Sequence, residues 1–193
     1  MRRKGVTLRE LLVVVVILCG AVGVLFPTDI GSSRLARQRY ECQTNLKQIA
    51  LAFQQYSQDS DGHFPSLRTK AGWREAVSPY LKNDNVFQCP GEGKDETVGT
   101  SDYWFNARLE EKAEADVAVT SQTLLLGDGY ASGDPRTALS QMPKIWREDE
   151  DSPAQRHLGS ANYAFVDGHV KWMRPYRIAT QKQKQNIAAF ALR

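Results

Sequence analysis

Cysteine and histidine are both scarce, at three each in 193 residues. The cysteines are Cys19, Cys42 and Cys89, and no CxxC pair occurs. There is no glycine-rich phosphate loop and no Ser–His–Asp order of a hydrolase. Nothing in the pattern supports an enzyme, and no residue is assigned a catalytic role. Strong charge of one sign is also missing, with a formal net charge of only +3. What charge there is sits at the two ends. Arg2, Arg3 and Lys4 open the chain, Arg174, Arg177, Lys182, Lys184 and Arg193 close it, and the stretch between is acidic. A basic tail can suggest nucleic acid or anionic lipid, but a solvated face is the simpler reading, so nucleic acid is not an expected partner.

Long apolar runs are absent but for one, the 16 residues from Leu11 to Phe26, stopped by Pro27. As a helix it measures roughly 24 Å, short of a ~30 Å hydrocarbon core. Counted from Val6 the helix is about 31 Å and spans, but it then carries Arg9 and Glu10 into or near the membrane. A lone carboxylate there costs ~2.5–3.5 kcal/mol on insertion scales and needs a partner. Arg9 is adjacent, and neighbours at i,i+1 do not face each other on a helix. Three readings compete: a cleaved secretory signal ending near Ala21-Val22-Gly23, a plain single-pass anchor, and a processing signal fused to an assembly helix. The basic head fits the positive-inside rule, so the bulk of the chain is expected outside the cytoplasm.

The third reading rests on a resemblance. Lys4-Gly5-Val6-Thr7-Leu8-Arg9-Glu10-Leu11-Leu12 resembles the prepilin signal of type IV pilins and type II secretion pseudopilins. The resemblance implies cleavage between Gly5 and Val6 by prepilin peptidase, N-methylation of Val6, and a buried Glu10 paired in a filament with the α-amino group of a neighbouring Val6. Two residues depart from the family pattern. Val6 stands where Phe or Met is usual, and Arg9 puts a cation where an apolar residue is usual. The implied organisation is a leader over 1–5, a transmembrane and assembly helix over 6–27, and a periplasmic head over 28–193. The implied partners are the peptidase, other pilins or pseudopilins, and the inner membrane. The implied fold class is α+β and pilin-like, a long N-terminal helix on a small antiparallel sheet.

Beyond Pro27, a helix-starting Ser33 precedes an apolar stripe of Leu35, Cys42, Leu46, Ile49, Phe53 and Tyr56 at helical spacing. This predicts an amphipathic helix over about 33–58, capped by Gly62. A short helix is expected over Trp73 to Leu81. Strands are expected at Val86 to Cys89, Tyr103 to Phe105 and Thr123 to Leu126, and a final helix over Thr180 to Leu192. Asp167-Gly168 between Asn162–Val166 and His169–Met173 predicts a two-residue hairpin. In that register Tyr163, Phe165, Val170 and Trp172 share an apolar face suited to the N-terminal helix. A Cys42–Cys89 bridge is one reading of the two cysteines in the exported part. It would close a loop of about 48 residues and contribute roughly 4 kcal/mol on the chain-entropy model.

A second resemblance covers most of the chain. His157, nine intervening residues and then Asp167-Gly168 resemble a prepilin-type family named for its H-x9-DG segment. Cys42 to Ile49, Phe64-Pro65, Val86 to Pro90 and Leu126-Gly127-Asp128 extend the match. The family implies an association with prepilin processing or export, and no reaction. Asp128, His157, Asp167 and His169 carry ligand types that suit zinc or calcium, so a divalent metal is the one cofactor to weigh. The structural alternative puts Asp167 in the turn, His169 on a strand surface and His157 in a loop-fixing hydrogen bond. Three functional readings follow: a filament subunit, an anchored periplasmic metal-binding protein or enzyme using His157, Asp128 and Asp167, and a minor pilin for DNA uptake.

Overall fold

The structure, a computed structural model, describes residues 7–25, 30–68, 72–91, 101–129, 146, 148–179 and 188–189. The chain divides into two compact units, Met1–Arg34 and Leu35–Arg193. The first unit holds helix α1, Leu8–Leu25. Its 18 residues make about 27 Å of helix. Among the described residues, no helix is long and apolar enough to cross a membrane. Pro27 lies outside them, as does any kink there.

Helix α2, Ile30–Asp59, runs through the boundary between the units. It begins three residues before the expected Ser33. Cys42, Leu46, Ile49 and Phe53 of the predicted stripe are at most 1 % exposed, whereas Leu35 is 45 % exposed. The helix ends in a Schellman-type turn. Gly62 N–H donates to Ser57 O at 2.8 Å, with both Asp61 and Gly62 at positive φ. Helix α3, Gly72–Val77, passes into a 3-10 turn over Ser78–Tyr80. It delivers Trp73 into the core, where the ring lies 5.5 Å from Phe53 and 5.6 Å from Phe87.

The expected strand at Val86 is instead a 3-10 helix, Asp84–Phe87. Asn83 is the reason, because its side chain accepts from Asn85 N–H at 2.8 Å and caps a helical turn. Strands β1 (Tyr103–Phe105), β2 (Leu124–Asp128), β3 (Ala161–Phe165) and β4 (Val170–Met173) form one antiparallel sheet in that order. Strands β5 (Ile178–Ala179) and β6 (Ala188–Ala189) form a parallel pair, so the expected helix does not extend over 188–189. The rest of that predicted helix lies outside the described residues.

The hairpin joining β3 and β4 is where predicted, with its register moved by one residue. Tyr163 faces Lys171 and Ala164 faces Val170. The loop has three residues, Val166, Asp167 and Gly168. Phe165 N–H donates to His169 O at 2.9 Å and Gly168 N–H to Phe165 O at 2.8 Å. Gly168 at φ 81° supplies the left-handed residue that a three-residue loop needs. Side chains alternate along a strand, so the shift re-sorts the faces. Ala164 and Val170 join Phe53, Phe105 and Leu126 in the core under α2. Tyr163 and Phe165 go to the opposite face, into a second cluster with Trp104, Leu124 and Ile178. A bulge between Leu124 and Leu126 lets those two leucines serve different clusters. Strands β2 and β3 are therefore buried on both faces.

Candidate functional site

Two places carry the sequence-predicted site residues. The first is the start of α1. Gly5 and Val6 lie outside the described residues, so neither cleavage nor methylation geometry is on view. Directly after them, Thr7 Oγ1 accepts from Glu10 N–H at 3.4 Å. Glu10 Oε2 accepts from Thr7 N–H at 2.8 Å and from the Thr7 hydroxyl at 2.9 Å. This reciprocal pair is a capping box, and Thr7-Leu8-Arg9-Glu10 has its T-x-x-E signature before an apolar run. This gives Glu10 a use within its own helix besides the filament contact that the prepilin resemblance implies. The side chains that follow are exposed on every face. From Leu11 to Leu18 none is less than 48 % exposed.

The second place is a buried polar knot at the end of the sheet. The last residue of β2 is Asp128, and His157 lies in the loop before β3. His157 Nε2 is 3.5 Å from Asp128 Oδ2 and 3.3 Å from Cys89 Sγ. Cys89 is bonded to Cys42 of α2, with Cα atoms 5.3 Å apart. Asp128 Oδ2 also accepts from Asn162 N–H at 2.7 Å. Asp102, the residue before β1, accepts from Cys89 N–H at 2.6 Å. The two aspartates thus tie the disulfide loop and β3 to the strand ends. Cys42, Cys89, Asp128 and His157 are all at most 3 % exposed.

Burial pushes the His157 imidazole down to about 4 from its ordinary value, helped by the nearby Arg156 and Arg39 cations. The ring is neutral near pH 7. The atoms facing Nε2 are acceptors, so this network assigns the proton to Nε2, directed at Asp128. The glycines on either side are required by close packing. A Cβ at Gly91 would come 2.9 Å from the His157 ring, and one at Gly127 would strike the Trp104 and Tyr163 rings. That is why Gly127 precedes Asp128.

Asp167 is not brought to this knot. Its Oδ1 binds His169 Nδ1 at 2.5 Å and accepts from His169 N–H at 3.1 Å, at the hairpin tip. The spacing explains the separation. His157 precedes β3 and Asp167 follows it, and five extended residues between them span about 17 Å. The predicted ligand set of Asp128, His157 and Asp167 therefore splits. Among the described residues, ligating atoms of Cys42, Cys89 and His157 come within 4.8 Å of one another. The two sulfurs are bonded to each other and offer no thiolate. With Asp128 engaged by Asn162, the donor set fits a structural knot better than a zinc or calcium site. Sequence separation hid the Cys89–His157 contact, and no local signal announces it.

Residues 33–89 match a family described as a protein of unknown function, DUF1559. The match takes in α2 from Ser33 onward, α3 and both bonded cysteines, and covers less than a third of the chain. No curated protein and no solved structure matches.

Proposed function

We propose that the chain is a pseudopilin-like structural subunit of a type II secretion or type IV pilus-like filament. Prepilin peptidase cuts after Gly5 and methylates Val6, and the mature subunit packs through α1 at the inner membrane with its head on the periplasmic side. It performs no catalysis and is itself an enzyme's substrate. One observation carries this reading: a capped helix directly after the Lys4-Gly5 signal whose apolar side chains from Leu11 to Leu18 are exposed on every face. Exposed apolar surface of that extent marks a place for lipid or a partner helix. The antiparallel head with α2 on one face and the H-x9-DG resemblance agree with a pilin-like subunit. The matched family's description names no activity and adds none. A metal-binding reading through His157, Asp128 and Asp167 loses support from the separation of Asp167.

Mass spectrometry of the mature N-terminus tests the proposal. N-methylated Val6 is the expected end. An end at Val24, or an intact Met1, overturns it.

A further inference from the structure

Lys171 and the turn after β4 line a groove of about 640 Å³ at the open edge of the sheet. Strand β4 is the edge strand, paired with β3 alone among the described residues. Lys171, Arg174 and Arg177 contribute three cations, and no carboxylate lines the groove. None of the three makes an ion pair among the described residues; Arg174 instead donates to the Tyr176 hydroxyl at 3.4 Å. Trp172 and Tyr176, 36 % and 66 % exposed, add aromatic surface. Three cations without an ion pair among the described residues, beside an edge strand, suit a short acidic chain segment.

The same chain carries such a segment. Glu148-Asp149-Glu150-Asp151 is its densest acidic run. Glu148, Glu150 and Asp151 are exposed. The run is held in a fixed turn. Asp149 Oδ1 accepts from Asp151 N–H at 3.0 Å, and Asp149 O accepts from Ser152 N–H at 3.2 Å and from the Gln155 side chain at 3.1 Å. Glu150 and Asp151 make no ion pair among the described residues. The cationic groove and the acidic turn complement each other in charge, and no ion pair joins Lys171, Arg174 or Arg177 to Glu150 or Asp151 among the described residues.

We propose that the groove along β4 receives the Glu148–Asp151 turn of a neighbouring copy. The contact joins two different surfaces, so where it is not reciprocated across a two-fold axis and its rotation does not close into a ring, it is heterologous and propagates along an array. This inference rests on the filament reading and names a head contact within it.

Zero-length carbodiimide coupling of the full-length chain in detergent, using a mixture of ¹⁵N-labelled and unlabelled protein, tests it. The expected product joins Lys171 of one copy to a carboxylate of residues 148–151 of the other, with a yield that falls steeply as salt is raised. Arg174→Glu/Arg177→Glu leaves the Lys171 amine as reporter and lowers that yield at least tenfold. Adding Glu150→Arg/Asp151→Arg restores it through Glu148 and Asp149. An absent Lys171 product in the wild type, a product confined to single copies, or a yield indifferent to Arg174→Glu/Arg177→Glu overturns the proposal. Wild-type isotope mixing decides the matter even if a variant misfolds. Retention of a single-stranded oligonucleotide without the inter-copy product overturns it in favour of nucleic acid. A processed Val6 without the product sinks only this contact; the product on an unprocessed chain sinks the filament reading and leaves the contact standing.

Discussion

Val13 to Ile17 in α1 and Ala161 to Phe165 in β3 are stretches of equal length used in opposite ways. The first is uniformly aliphatic, and every residue is 48–66 % exposed. The second contains Asn162 and Tyr163, and no residue exceeds 2 % exposure. The more hydrophobic stretch is the exposed one. Burial of apolar area is the main favourable term in folding, at roughly 25 cal/mol per Å². The head unit gains it within its own chain, through two clusters on the two faces of one sheet. The aliphatic surface of α1 remains available to lipid or to other copies. On the proposed reading, one part of the molecule is built to fold and the other to assemble.

The largest expected effect separates the two by stability. The Cys42–Cys89 bridge joins residues 47 apart and ties α2 to the segment before β1. Cys42→Ala/Cys89→Ala should cost the head roughly 4 kcal/mol on the chain-entropy model. Denaturant unfolding followed by tryptophan fluorescence reads this, because Trp73 and Trp104 lie in the two head clusters. The helicity of α1 should be unchanged. If α1 melts with the head in the double variant, the division into a folding part and an assembling part fails.

A smaller effect comes from pH and also belongs to the head alone. The folded-state value of His157 is about 4, below its ordinary 6.5. Between those values the unfolded chain binds a proton that the folded one refuses, so stability falls as pH drops through that window. Above about 6.5 and below about 4 the effect is level. A depression of this size corresponds to up to about 3 kcal/mol. His157→Gln should flatten the stability–pH profile across the window. A profile as steep as in the wild type would assign the acid sensitivity to other groups.

How much of this was legible in sequence depended on range. The α2 stripe could be read because Cys42, Leu46, Ile49 and Phe53 repeat with the helix. The hairpin could be located because Asp167-Gly168 is local turn chemistry. Its register could not be settled, since Gly168 at positive φ closes a three-residue loop as readily as a two-residue one. That single step sent Phe165 away from α2. The 3-10 turn at Asp84–Phe87 was within reach, because Asn83-Asp84-Asn85 is capping chemistry that outweighs the β-propensity of Val86 and Phe87. The knot was not. His157 meets Cys89 across 68 residues and Asp128 across a strand pairing. Conversely, His157 and Asp167, close in sequence, are held apart by the stiffness of β3.

The smallest expected effect bears on the assembling part and separates two uses of Glu10. At the N3 position of a capping box, Glu10 needs only an acceptor oxygen, which glutamine also offers. As the partner of a neighbouring α-amino group it needs a charge. Thr7→Ala removes one half of the cap and should cost α1 about 1 kcal/mol of helix stability, with no change in head unfolding. Glu10→Gln should keep the cap, so far-UV circular dichroism of the full chain in detergent should match the wild type. If the carboxylate serves only the cap, self-association in detergent is also unchanged. If its charge pairs between copies, Glu10→Gln loses association while α1 stays helical. That second outcome is the one the filament reading requires, because a cap satisfied within one copy gives no reason for a neighbour.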